Sequence, residues 1–301
     1  MGTMMNSSAP SPTDIDSAIL LQQVKYMHVA SITILAFDYL CTLNLEISLV
    51  WGGKRSLTKI FYMLARYPPF IDVPLVLWYE LTPHIDTTEC FPVYAAASWG
   101  TFFGIATAEA LLVLRTYALM GCNARILTAF IVQYVTVAIT TVIVLSIFLK
   151  SLRFGPPPLP VVPGCHLVQV DGSVILVVAF ILVLFNETVL MICTLWVGIR
   201  RFRHSSSPLV KVLYRDGVSY FVLLFLISAG NLGVLIWGPV ELVDLFKTFL
   251  RVMHSVLSTR IVLHVRAADG RQVEGGIASQ PLREIKFRIP GTTTEYTIDS
   301  E

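Results

Sequence analysis

The chain has 301 residues, 55 % hydrophobic and only 14 % charged, with a formal net charge of +2. Soluble domains carry about 25 % charged residues, so this composition excludes an ordinary water-soluble globule and points to a membrane protein. The near-neutral balance names no partner by itself; the distribution of the charges says more.

Residues 1–25 are polar, with Pro10, Pro12 and several serines, and read as an extracellular disordered tail. Asn6-Ser7-Ser8 within it is a glycosylation sequon, a triplet also common by chance. No basic region precedes a short apolar core, so no cleaved signal peptide is expected and the first span serves as an uncleaved one. That span, Val29 to Trp51, is long enough to cross a bilayer at 1.5 Å per residue. It carries Asp38 and Glu46, and carboxylates at membrane depth face a bundle interior rather than lipid. Asp38, Thr42 and Glu46 are spaced four apart and share one helix face. Lys54, Arg55 and Lys59 follow in a basic turn.

The second span lies within Leu57 to Leu81 and is the least regular, with Arg66, Pro68, Pro69, Asp72 and Pro74. Prolines are tolerated in membrane helices where neighbours satisfy the freed carbonyls. The motifs FDYLCTLNLEISLVW, Lys54 to Lys59 and RYPPF (Arg66 to Phe70) resemble a fungal, mostly basidiomycete, multi-pass membrane family that carries domain of unknown function 6533. Weaker echoes are LLVLRTYAL (Leu111 to Leu119) and STRIVLHVR (Ser258 to Arg266). The strong likeness covers Tyr26 to Phe70. The family is uncharacterised, so the resemblance implies a fold more than an activity.

Span three, about Val93 to Met120, holds small residues such as Gly100 and Gly104 that permit close helix packing. Span four, Ile126 to Leu149, is uncharged. A proline-rich stretch from Lys150 to Gly172 reads as stiff and extended. Span five, Val174 to Ile199, has Asn186 and Glu187 at its middle, and the most basic loop follows it. Span six, Val218 to Trp237, is uncharged and contains Asn231. The seventh candidate, Val240 to Val265, holds Glu241, Asp244, Lys247, Arg251, His254 and Arg260. Such residues must face neighbouring helices, or the segment lies in the interface as an amphipathic helix. Here the sequence departs from the more apolar pattern of the family. Spanning is the expectation, so residues 26–266 form the membrane domain and 267–301 a disordered cytosolic tail.

Orientation follows from the lysines and arginines of short loops. One side has Lys54, Arg55, Lys59, Arg125, Arg200, Arg201, Arg203, Lys211 and Arg215; the other has Lys25, Lys150 and Arg153. The expected fold is therefore an all-α bundle of seven transmembrane helices with its N-terminus outside. That topology resembles G-protein-coupled receptors. The location is the plasma membrane or an endomembrane of the secretory pathway.

The five cysteines form no CxxC pair, which excludes a zinc framework. On this topology Cys90 and Cys165 both lie on the oxidising outer side, where a bridge can persist. A disulfide between them is the expectation, with two free thiols as the alternative. Cys122 is a juxtamembrane position where palmitoylation has no further support.

Counted inward from the cytosolic ends, Asp38, Asp72, Glu109 and Glu187 fall at similar depth, very roughly 16 to 22 Å in. Asn231 joins them. These residues, with Glu46, are the candidate polar site: a midplane cavity in which Arg66 pairs with Asp38 or Glu46, and the excess acid holds a cation, a proton or an amine. The competing view is protonated carboxyls that bond across helices as structural glue. Arg115-Thr116-Tyr117 loosely resembles the acid-Arg-Tyr switch of rhodopsin-like receptors, but no acid precedes the arginine and a threonine intervenes. Arginine at a cytosolic helix end is equally explained by snorkelling. Arg115 and Tyr117, with Arg200, Arg201 and Arg203, are the candidate cytosolic coupling residues. Asp244 lies three residues before Lys247 rather than four, near the outer end, which disfavours a retinal Schiff base.

No hydrolase elbow, HExxH, P-loop or dinucleotide fingerprint is present, so no enzymatic activity, metal or cofactor is expected. Basic residues confined to membrane loops give no basis for nucleic-acid binding. The expected partners are the bilayer, an unidentified ligand and a cytosolic signalling partner. The functional expectation is a receptor-like sensor. A proton- or cation-coupled transporter or channel, and a non-catalytic scaffold, are the alternatives.

Overall fold

The computed structural model describes residues 11–52, 56–82, 87–120, 124–155, 162–170, 173–202 and 208–274. Asn6, Lys54, Arg55, Cys122, Arg203 and the Gly275–Glu301 tail lie outside the described residues.

Helix α1 runs from Pro12 to Glu46 and continues as a π turn, Ile47–Trp51. Its start corrects the expectation of a disordered tail. Ser11 caps the Asp14 N–H while the Asp14 carboxylate accepts from the Ser11 N–H, and Pro12 sits where no N–H partner is needed. Ser17 donates to Glu241 (2.8 Å) and Lys25 to the Pro163 carbonyl (2.6 Å), so the extension is tied to the rest of the protein.

The second span is two helices, α2 (Leu57–Arg66) and α3 (Pro69–Leu81). They part at Tyr67–Pro68, because two successive prolines remove backbone donors and crowd the preceding turn. Helices α4 (Thr87–Leu119) and α5 (Ala124–Ser151) follow. A short antiparallel hairpin, β1 (Leu152–Gly155) with β2 (His166–Val170), occupies part of the proline-rich loop. Helices α6 (Ser173–Phe202), α7 (Pro208–Trp237) and α8 (Lys247–Glu274) complete the chain. The basic stretch after span five is therefore mostly helical: Arg200 and Arg201 belong to α6, and Lys211 and Arg215 to α7. Helix α8 also extends past residue 266, so the expected tail begins later.

Helix α1 packs against α3 and α8, α2 against α4 and α8, and α5, α6, α7 and α8 neighbour in chain order, while α4 runs against α2, α3, α5, α6 and α8. Among the described residues, six helical segments are long and apolar enough to cross a membrane: Pro12–Trp51, Leu57–Leu81, Thr88–Ala118, Arg125–Ser151, Val174–Val197 and Val218–Trp237. Their outward faces are apolar, as lipid contact requires: Phe37, Leu40, Ile71 and Val174 are all largely exposed. The chain is thus an all-α, multi-pass membrane bundle. Helix α8 is of another kind. It is buried on nearly every side, with Leu250, Arg251, Val252, His254, Ser255, Ser258 and Thr259 inaccessible, so its polar residues meet protein rather than lipid.

The sulfurs of Cys90 and Cys165 are bonded, joining the start of α4 to the loop before β2. That loop also hydrogen-bonds the end of α3 through the Cys165 N–H and the Tyr79 carbonyl (3.3 Å). Gly164 adopts a φ of 95°, and a Cβ there would lie 2.3 Å from the Glu80 carbonyl oxygen. Only glycine tolerates both the left-handed backbone and this approach.

Candidate functional site

The seven candidate polar residues do not share one cavity. The structure divides them into three groups, because α8 supplies cations that draw individual acids to it.

The first group joins α1, α2 and α8. Arg66 is wholly buried and donates to the Asp38 carboxylate and the Thr42 hydroxyl. Its Nε lies 3.4 Å from Glu46, and its guanidinium stands 5.4 Å from the Tyr39 ring centre. Arg66 therefore meets both carboxylates, as the shared helix face allows. Arg260 of α8 binds the other oxygen of Asp38. Glu46 accepts from the Tyr67 hydroxyl (2.5 Å) and from the Trp51 indole (3.2 Å), which the π turn brings within reach. Two carboxylates meet two guanidiniums here, so the group is charge-balanced and has no spare acid to offer a ligand.

The second group is a single pair. Arg251 of α8 donates to Asp72 of α3 at 3.0 Å. The pair lies against Gly100 and Gly104, four apart on one face of α4. A Cβ on Gly104 would stand 1.9 Å from the guanidinium carbon, and one on Gly100 would stand 2.9 Å from the Asp72 Cβ. These glycines make room for an ion pair rather than only for a helix backbone.

The third group lies between α4, α5, α6, α7 and α8. Asn186 donates to Glu109 (2.9 Å) and accepts from Gln133 (3.0 Å). Ser228 donates to Glu187 (2.8 Å), and His254 Nε2 stands 2.8 Å from the same oxygen. Among the described residues neither glutamate meets a lysine or arginine. One oxygen of each, Glu109 Oε1 and Glu187 Oε2, is buried without a hydrogen-bond partner. Asn231 is buried too, and its amide nitrogen bonds none of these groups.

At the end of the bundle that carries the disulfide, Lys247 binds Asp244 (2.5 Å) and donates to the Tyr94 hydroxyl (3.2 Å). His28 Nδ1 stands 2.6 Å from Glu80, and its Nε2 stands 3.1 Å from the Asp244 carbonyl. His28, Glu80, Tyr94 and Lys247 come from four different helices and Asp244 from the turn before α8, so this knot holds α1, α3, α4 and α8 together.

A cavity of about 90 Å³ runs between α4, α5 and α6. Along α4 it is bordered by Tyr94, Ser98, Thr101, Phe102, Ile105 and Glu109, a stripe at helical spacing. At 1.5 Å per residue that stripe is about 22 Å long, so the cavity is narrow and elongated. Its remaining walls are mostly apolar, including Val137, Leu145, Phe180 and Val183. Lys247 closes one end and Glu109 the other. Of the seven candidate residues only Glu109 reaches it.

At the C-terminal end of α4, Tyr117 is buried, and two guanidinium nitrogens of Arg115 are buried without a hydrogen-bond partner. Arg200 and Arg201 fall in the last turn of α6. No group of three or more metal-ligating side chains occurs among the described residues.

Arg251, His254, Arg260, Gln133, Tyr94 and the His28–Glu80 pair are missing from the sequence-based candidate set. Their sequence signal is in α8, where Lys247, Arg251, His254 and Ser258 recur at intervals of four, three and four and so mark one helix face.

No curated protein matches the chain. Residues 26–71 match the family described as a family of unknown function, DUF6533. That interval contains Asp38, Thr42, Glu46, Trp51, Arg66 and Tyr67, every member of the first polar group except Arg260. Over these residues the chain matches the DUF6533 family, and the described part is a helix and a broken helix joined by buried ion pairs.

Proposed function

We propose that the protein is a receptor-like membrane sensor whose ligand occupies the cavity between α4, α5 and α6. The observation that carries this reading is the cavity itself: an elongated apolar space ending on a buried carboxylate oxygen with no partner. Small-molecule sites have this character, apolar walls with a few convergent polar groups. The disulfide-anchored loop covers the outer end of α4, and α6 and α7 carry the basic residues towards a cytosolic partner. Seven crossings, with the N-terminus outside, fit the nine-to-three bias of basic residues. The charges of α8 do not oppose a crossing, because Arg251 and His254 are wholly buried against protein.

Transport is the second reading, favoured by the titratable Glu187–His254 couple. It loses ground because Asp38 and Asp72 are held by arginines and cannot readily carry a proton or cation. Sealed proteoliposomes separate the two. The receptor reading expects no gradient-driven proton or cation flux, and hydrogen exchange that changes at the inner ends of α6 and α7 when the cavity is filled by Ala138→Phe. Proton uptake that disappears in Glu187→Gln would replace it with the transport reading.

Sidedness tests the seventh crossing. A glycosylation acceptor fused after Glu301 stays unmodified and open to added protease in sealed microsomes if α8 crosses. Glycosylation of that site leaves six crossings.

A further inference from the structure

Glu109 is 4 % exposed, and its Oε2 is engaged by Asn186. Its Oε1 is unpartnered and belongs to the wall of the cavity. A buried acceptor without a donor is destabilising, more so if charged, so this atom is placed to be satisfied by something that enters. Ser98 Oγ, also on the cavity wall, is the second buried polar atom without a partner. The groups around the deep end are Gln133, Asn186, Glu187, His254 and Tyr134. The Tyr134 hydroxyl is directed away, to the Ala106 carbonyl (3.0 Å). None of the five is a fixed cation. The one lysine on the cavity, Lys247, is neutralised by Asp244 at the opposite end.

A group that enters to satisfy Glu109 as a carboxylate therefore donates a hydrogen bond. A positive charge gains more than a neutral donor, because two carboxyls stand near one another with no arginine or lysine. The walls demand an apolar body, and the length along α4 demands an extended one.

We propose that the cavity binds an elongated apolar molecule ending in a protonated amine, with the ammonium on Glu109 Oε1 and the chain lying along Phe102, Ile105 and Phe180. Aromatic faces beside the ammonium add to its attraction. The proposal rests on the cavity being a ligand site and names the class of ligand it takes.

The test uses the full chain in lipid nanodiscs with three probes that share one body: phenylbutylamine, phenylbutanol and phenylbutyrate. Binding is read by equilibrium dialysis and by the thermal unfolding midpoint. The amine is expected to bind about tenfold more tightly than the alcohol. Glu109→Gln keeps the Asn186 bond and should erase that preference, whereas Glu109→Asp should keep it at lower affinity. Ala138→Phe should abolish binding of all three. Equal binding of amine and alcohol to the wild type, preference for the butyrate, or an amine preference that survives in Glu109→Gln, overturns the amine assignment while leaving the cavity as a ligand site. Binding unchanged by Ala138→Phe overturns the cavity itself as that site.

Discussion

Arg66→Met is expected to lower stability by about 3–5 kcal/mol, enough to prevent recovery of folded protein from the membrane. Arg66 is inaccessible to solvent and serves three acceptors at once: Asp38, Thr42 and Glu46. Removing it strands Glu46 with only the Tyr67 and Trp51 donors, and leaves Asp38 with Arg260 alone. An uncompensated buried charge is the costly outcome, more than the loss of the attraction itself. Arg260→Met should cost less, because Asp38 keeps Arg66 and the Arg260 side chain is 35 % exposed, so no charge is left fully buried without a partner. The decisive comparison adds Asp38→Leu and Glu46→Gln to Arg66→Met. Removing the acids with the base should recover most of the lost stability, measured as the thermal midpoint in detergent. An Arg66→Met protein as stable as the wild type would show that this group does not hold the first two spans together. The same experiment bears on the domain at residues 26–71. Its two ends, FDYLCTLNLEISLVW and RYPPF, contribute opposite sides of one ion-pair network, which reads as a clasp between spans rather than as a site for ligands.

What could be read from the chain differs by level. The spans were legible because hydropathy reports the cost of lipid exposure directly: four of the six apolar segments contain the stretches expected for them, and the other two end two residues short. The broken second span was legible in its prolines, though not as two helices meeting at Arg66 and Tyr67. The start of α1 was not, because the groups that hold it, Glu241 and the Pro163 carbonyl, lie far along the chain. The acid layer shows the limit most clearly. Counting residues gives depth along a helix but no direction around it. Asp38, Asp72 and Glu109 share a depth, yet they point to Arg66, to Arg251 and to a cavity. The spacing of Lys247, Arg251, His254 and Ser258 carried the missing direction, since it puts these polar groups on one face of a helix that lipid could not hold.

Gly104→Ala is expected to be nearly as damaging as the loss of Arg66, about 3–5 kcal/mol. The added methyl carbon would lie 1.9 Å from the Arg251 guanidinium carbon, far inside any real contact, so the arginine must move. It has nowhere to go: Arg251 is fully buried, and moving it abandons Asp72. Gly100→Ala meets only the Asp72 Cβ at 2.9 Å and should cost about 1–3 kcal/mol, the scale of ordinary overpacking. The mechanism is testable by removing the obstacle. In an Arg251→Ala, Asp72→Asn background the space beside Gly104 is empty and no charge is stranded, so Gly104→Ala should there change the thermal midpoint by only a degree or two, about 0.5 kcal/mol. An equal cost in both backgrounds would mean that Gly104 matters for helix approach alone. The distinction reaches the cavity. Gly104 lies between Phe102 and Ile105 on the same helix, and Arg251 is one turn along α8 from Lys247, which closes the end of the cavity away from Glu109. A glycine that admits the arginine therefore also fixes how α8 sits against α4, and with it the distance between Lys247 and Glu109 that an elongated ligand would have to bridge.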